Sequence, residues 1–244
     1  METVSLGIPE LDKMLLNGVP KGSLVVLLGS PHTGMELFAK QIAHFSGGDN
    51  VVYFATNERT EDILDTMKSF KWRTDIKIVN IGTQHYERVL MREIEASKLR
   101  HEGFSQEGVE ALIGQRGGKE QFNFLTELIY EISKLKPPYR AIIESYDFFL
   151  RYYSTDSAVA ALRTIKSHTQ ETGGLAVLTM LKDVHDAKVQ GIVEGIADCV
   201  LELEAKRVSE GIEHNLIIKK LRNYPSKSRI VRYESNETGI LIKL

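Results

Sequence analysis

The sequence predicts an α/β fold in which helices flank a mostly parallel central sheet, with an antiparallel extension at the C-terminus. Three observations carry this. Short β-branched runs alternate with amphipathic helical stretches as far as about residue 198, the pattern of a parallel sheet covered on both faces. The first strong apolar run ends in a glycine-framed loop that opens into a helical stretch. Beyond residue 198, extended runs follow one another with only turn signals between them.

In chain order, strands are expected at 24–28, 51–55, 76–81, 141–144 and 175–180, each short and rich in Val, Ile and Leu. Helices are expected near 35–46, 60–70, 85–101, 121–136 and 156–172 from their 3.6-residue apolar spacing. The later strands, 199–204, 214–221, 228–234 and 240–243, are separated by Glu210-Gly211, Asn223-Tyr-Pro225 and Glu237-Thr-Gly239. The stretch 100–120 has little periodicity and carries Gly103, Gly108, Gly114, Gly117 and Gly118, which predicts a mobile loop or a broken helix. No internal repeat or linker divides the chain, so residues 1–244 are read as one domain.

With 42% hydrophobic and 26% charged residues, the 244-residue chain can bury a sizeable core, and disorder is excluded. A net charge of -2 carries no bulk signature of nucleic-acid or membrane binding and points to a protein or small-molecule partner. One cysteine, Cys199, rules out an internal disulfide or a cysteine-based metal cluster; its flanks Ala197-Asp-Cys-Val-Leu201 make it a core residue on a strand. The opening Met1-Glu-Thr-Val-Ser-Leu lacks a basic region followed by an apolar core, and no run reaches membrane-spanning length. A soluble, cytoplasmic protein without membrane insertion is expected.

The loop Gly29-Ser30-Pro31-His32-Thr33-Gly34-Met35-Glu36 has the layout of a phosphate-binding loop, G-x-x-x-x-G-K-[ST], between a strand and a helix as that motif requires. Met35 stands in place of the lysine and Glu36 in place of the magnesium-binding hydroxyl. Charge-assisted bonds from the missing ammonium are worth roughly 1.5–3 kcal/mol each. A carboxylate about 4 Å from a phosphate charge costs on the order of 4 kcal/mol at an effective dielectric of 20. Mg·ATP binding should therefore fall by several powers of ten. Glu36 at a helix start is otherwise a favourable partner for the helix dipole. If the loop needs positive φ at His32, that costs roughly 1–2 kcal/mol. Gly29, Gly34 and the backbone N–H groups still suit a small oxyanion.

The opening Val4-Ser-Leu-Gly-Ile-Pro-Glu-Leu-Asp12, then Gly18-Val-Pro-Lys-Gly22 and the loop itself, resembles the start of the KaiC-like branch of the RecA-type P-loop ATPases. The likeness continues through Val51-Val-Tyr-Phe-Ala-Thr-Asn57-Glu58, Ala141-Ile-Ile-Glu144-Ser145, Ala197-Asp198-Cys-Val-Leu and Ile218-Lys-Lys220-Leu-Arg222. The resemblance implies a RecA-like P-loop NTPase fold and kinship with ring- or filament-forming ATP-driven machines. It also implies roles. Asn57 and Glu58 occupy the place of paired catalytic glutamates, of which Glu58 alone could orient a water. Glu144 takes the place of the Walker B aspartate, one methylene longer and displaced from the usual magnesium-water geometry. Lys220 and Arg222 match a pair that reaches a neighbouring subunit's γ-phosphate in the manner of an arginine finger.

Nothing competes with this reading. His168, Glu171, His185 and Asp186 lack zinc-helix spacing, so no metal site is expected, and the seven histidines read as mostly surface residues. Arg151-Tyr-Tyr153 and 182–188 follow strands where RecA-like proteins touch DNA, but Asp156, Asp183 and Asp186 dilute the charge and favour ordinary loops.

The sequence thus predicts a KaiC/RecA-like domain with impaired or absent ATP hydrolysis, acting as a regulatory or partner-binding subunit. Glu58 and Glu144 are the residual catalytic candidates; residues 29–36, Lys220 and Arg222 are the nucleotide-binding candidates, with ATP or ADP held weakly at most. The expected partner is a protein, such as an intact RecA/KaiC-like relative, or a weak homo-oligomer. Two alternatives stay open: a working ATPase in which Lys40, Lys21 or Lys182 replaces the missing lysine, and a DNA-binding recombination or repair accessory.

Overall fold

The computed structural model describes residues 2–45, 47–109, 122–209 and 211–243. β1 (Thr3–Val4) and β2 (Val19–Pro20) pair antiparallel around α1 (Pro9–Met14). There follow β3 (Leu24–Gly29), α2 (Met35–His44), β4 (Asn50–Ala55), α3 (Thr60–Ser69) and β5 (Lys77–Asn80). Next come α4 (Ile81–His85), a π-helical turn (Tyr86–Leu90), α5 (Met91–His101), α6 (Phe124–Ser133), β6 (Tyr139–Glu144), α7 (Asp147–Tyr152) and α8 (Thr155–Thr172). The chain continues with β7 (Leu175–Leu181), α9 (Ala187–Ile196), β8 (Cys199–Val208), β9 (Gly211–Leu221), β10 (Arg229–Asn236) and β11 (Gly239–Lys243).

One nine-stranded sheet has the order β11-β10-β9-β8-β3-β7-β6-β4-β5. From β8 to β5 every pairing is parallel; β8, β9, β10 and β11 pair antiparallel. Strand alternation divides the core. Val25 and Leu27 join Phe38, Tyr53 and Leu201 on one face, while Leu24, Val26 and Leu28 join Phe54, Leu162 and Leu178 on the other. With both faces buried, the central strands need apolar residues at every position, which is why they read as continuous apolar runs.

Some boundaries move for local reasons. β6 starts before the expected 141 because Arg140, buried in mid-sheet, is held by Asp49 at 2.9 Å, so a charged residue sits inside a central strand. α6 starts later than 121 because Asn123 caps it, accepting bonds from the backbone N–H groups of Leu125 and Thr126 at 3.0 Å. The helices α1, α7 and α9 lie outside the expected ones; in α9, Gly191 and Gly195 depress helix propensity, and packing against α8 overrides them. Arg151 and Tyr152 belong to α7 and Lys188 to α9, so these segments are not simple loops. The histidines are not mostly surface residues either; His85 is buried and His44, His168, His185 and His214 are half-buried. Of the predicted loop 100–120, residues 110–120 lie outside the described residues.

Candidate functional site

The carboxyl ends of β3, β4, β6 and β7 converge on a cleft of about 920 Å3, the position at which open parallel sheets place ligands. The start of α2, at Met35 and Glu36, forms one wall, and the loop after β3 leads into it. The loop's turn is closed by Thr33 Oγ1, which donates to the Ser30 carbonyl at 2.8 Å. His32 and Gly34 both adopt left-handed backbone, with φ of 69° and 70°. At Gly34 this opens α2 as its N-cap; at His32 a side chain bears the strain that glycine would avoid. Gly29 is required by close approach, since a β-carbon there would lie 2.6 Å from Thr33 Oγ1 and 3.3 Å from Met35 Sδ. Met35 accordingly folds into the core and is 7% exposed. Tyr233 and His214 brace the loop from the antiparallel extension, donating to the carbonyls of Thr33 at 2.6 Å and His32 at 3.2 Å.

Beneath the loop lies a buried ion cluster that the motif does not announce. Lys40, one turn beyond Glu36 on α2, is 2% exposed at its side chain and donates to Glu58 Oε1 at 2.6 Å, with Glu144 Oε1 at 3.9 Å. Tyr53 donates its hydroxyl to the other oxygen of Glu144. The sheet makes this meeting: β4 and β6 pair in parallel with Ala55 beside Glu144, so Tyr53 stands diagonally across from it. Burial pushes the Glu144 carboxyl up to about 7, opposed by Lys40 and the Tyr53 bond and reinforced by the like charge of Glu58. Burial, then the neighbouring carboxylate of Glu144, raises the Tyr53 phenol well above its ordinary range, so it stays a donor. Glu58 is set by Asn80, whose Nδ2 donates to the Glu58 carbonyl at 2.9 Å while its Oδ1 caps α4. Thr56 latches the two strand ends, accepting from Ser145 N at 2.6 Å and donating to the Ser145 carbonyl at 3.2 Å.

Across the cleft, Asp147 is bound by Ser145 Oγ, by His185 Nε2 at 2.8 Å and by Leu181 N at 3.1 Å. The carboxylate stands between the serine and the histidine. A hydrolytic triad needs the imidazole in that middle position, so these residues position the cleft wall and make no nucleophile. Among the described residues, no group of three or more His, Cys, Asp or Glu side chains is placed to hold a metal ion.

The candidate residues therefore divide. Of residues 29–36, Met35 and Glu36 line the cleft together with Glu58 and Glu144, and the rest of the loop leads into them. Lys220 and Arg222 do not join them, because β9 runs antiparallel to β8 and carries both to the opposite end of the sheet. There Lys220 Nζ donates to the carbonyls of Glu194 and Gly195 at 2.9 and 3.0 Å, ending α9, and Arg222 pairs with Asp198 at 3.0 Å. Of the three candidate substitute lysines, Lys21 pairs with Glu2 at 3.0 Å and Lys182 donates to Glu202 and Glu204. Only Lys40 reaches the site, and it faces the carboxylates. Sequence reasoning missed Tyr53, Thr56 and Asp147 and weighed His185 as a metal ligand; their contacts arise between segments distant in sequence. The one local signal is Lys40 itself, a cation among the buried residues of α2.

The family model described as ATPase: KaiC matches residues 4–244. The chain is 24% identical to a UPF0273 protein of Aeropyrum pernix, over 99% of this chain and 94% of that protein. It is also 24% identical to the circadian clock protein KaiC2 of Synechocystis, over 97% of this chain but 38% of that longer protein. Its fold is similar to that of a KaiC-like protein from Pyrococcus horikoshii OT3, with TM-score 0.71 at 21% identity, over 100% of this chain and 99% of that one. The flagellar accessory protein FlaH from Methanocaldococcus jannaschii superposes with TM-score 0.70 at 15% identity, over 96% of this chain and 95% of that one. With a P-loop layout at the carboxyl edge of a RecA-type sheet and a match running from residue 4 to residue 244, the chain belongs to the KaiC ATPase family.

Proposed function

We propose that this KaiC-family domain does not hydrolyse ATP and acts as a regulatory or partner-binding subunit. The observation that carries the reading is Lys40. Its ammonium lies at 2.6 Å from Glu58, the one remaining candidate for orienting a water, and close to Glu144. A general base must reach a water with a free oxygen, and the Glu58 carboxylate is turned onto an ammonium within its own chain. The β- and γ-phosphates would at the same time meet Met35 and Glu36 in place of an ammonium and a hydroxyl. Loss of the loop's ligands and internal neutralisation of the acids act together, which fits a site kept as architecture. The protein partner would be a relative with an intact loop, or a second copy in a weak homo-oligomer; Lys220 and Arg222 would then serve at a contact between chains.

Calorimetric titration with Mg·ATP tests this. The native chain should show no binding below the millimolar range, and the double variant Met35→Lys with Glu36→Thr should gain at least tenfold in affinity. Micromolar binding by the native chain would overturn the reading and favour a working ATPase with an unusual loop.

A further inference from the structure

The cleft holds one buried polar group without a partner among the described residues, and one exposed carboxylate at its rim. Glu36 lines the cleft with an exposed side chain that makes neither a hydrogen bond nor an ion pair among the described residues. Thr179, in the last half of β7 and lining the cleft, is 1% exposed, and its Oγ1 is buried with no hydrogen-bond partner among the described residues. A buried hydroxyl without a partner is costly in a folded chain and points to a group that comes from outside. The other carboxylates lining the cleft, Glu58, Glu144 and Asp147, are each engaged within the chain. Its lining bases are Arg151, over the Tyr152 ring at 5.8 Å, His185, paired with Asp147 at 2.8 Å, and His85, whose imidazole pKa burial lowers; Lys40 lies beneath the lining, against Glu58. The remaining wall is apolar and aromatic, with Phe148 and Tyr152 at 4.9 Å between ring centroids.

An anion would meet Glu36 here, while a bare divalent ion would find no three-ligand group among the described residues and would gain nothing from the aromatic wall. We propose that the cleft binds an organic cation, a guanidinium or alkylammonium head on an apolar stem. The head sits on the Glu36 carboxylate, Thr179 Oγ1 accepts one of its N–H groups, and the stem lies along Phe148 and Tyr152. A guanidinium suits this arrangement, because its planar edge forks onto a carboxylate while its apolar stem packs along aromatic rings. The proposal does not depend on whether ATP is hydrolysed.

The test is titration of the native chain, followed by NMR or calorimetry, with agmatine as the free cation and N-acetyl-arginine amide as a protein side chain. N-acetyl-citrulline amide is the neutral isostere. Cation binding should exceed citrulline binding by about tenfold, the worth of a charge-assisted bond. Glu36→Gln should remove most of that preference, and Thr179→Val should weaken the cation several-fold while both variants keep the native melting temperature within a few degrees. Preference for agmatine assigns the site to a free metabolite, and preference for the arginine amide to a protein partner; either supports the proposal. Equal binding of citrulline and arginine amides, no binding of either cation, or a cation preference untouched by Glu36→Gln would overturn it. None of these readouts uses ATP, so they are independent of the test of hydrolysis.

Discussion

Lys40 holds the charge balance of the site. Its ammonium is buried against two carboxylates, and removing one partner of a buried ion pair leaves the others uncompensated. Lys40→Met should therefore destabilise the protein by about 3 kcal/mol, and Glu58→Gln in the same chain should restore a good part of that loss. A double-mutant cycle by urea denaturation checks this; additive losses would mean that the pair is not coupled. Glu144 makes a separate prediction with a definite sign. Its folded pKa, raised to about 7 from an ordinary 4.5, means that the folded chain keeps a proton the unfolded chain has released. Stability contributed by this group is thus present below pH 4.5 and lost as pH rises toward 7. Glu144→Gln should flatten this slope and raise stability at pH 8 by on the order of 1–3 kcal/mol. Denaturation midpoints of the two proteins from pH 4 to pH 8 would show it, and a variant weaker than the native chain at pH 8 would contradict the assignment of burial as the dominant cause.

Among the elements, the antiparallel extension supports the loop. Tyr233 on β10 donates to the Thr33 carbonyl, and Gln41 on α2 bonds the backbone of Ile240 on β11, accepting from its N–H at 2.6 Å and donating to its carbonyl at 3.3 Å. Tyr233→Phe should cost about 1 kcal/mol and increase hydrogen exchange at residues 30–35, with little change in β6 or β7. Unchanged exchange in the loop would mean that its own turn suffices to hold it. The strands and most helices were legible in the sequence because both faces of the sheet are buried and each central strand is a continuous apolar run. Arg140 hid the start of β6, and two glycines hid α9. The P-loop layout was legible for the opposite reason, as a contiguous motif. The Lys40–Glu58–Glu144–Tyr53 cluster was not, since it depends on the parallel register of β4 with β6, which no local pattern encodes. Lys220 and Arg222 were read as reaching a neighbouring subunit, and the antiparallel turn into β9 sets them at the far end of the sheet from their own chain's cleft.

At the scale of the molecule, one sheet from β5 to β11 places an acidic, lysine-neutralised cleft at its carboxyl edge and puts Lys220 and Arg222 at the other end. If chains associate through these surfaces, nucleotide is not the glue, and light scattering should give the same mass with and without Mg·ATP. An ATP-driven rise in mass would mean that the loop still holds nucleotide. No helix among the described residues is long and apolar enough to cross a membrane. The central claim, that the KaiC scaffold is kept while its hydrolytic chemistry is lost, is tested most directly by phosphate release from Mg·ATP by the purified native chain. The prediction is a rate indistinguishable from the protein-free blank and unaffected by Glu58→Gln. Saturable release that Glu58→Gln abolishes would show that Glu58 works as a base despite Lys40, and would contradict the account.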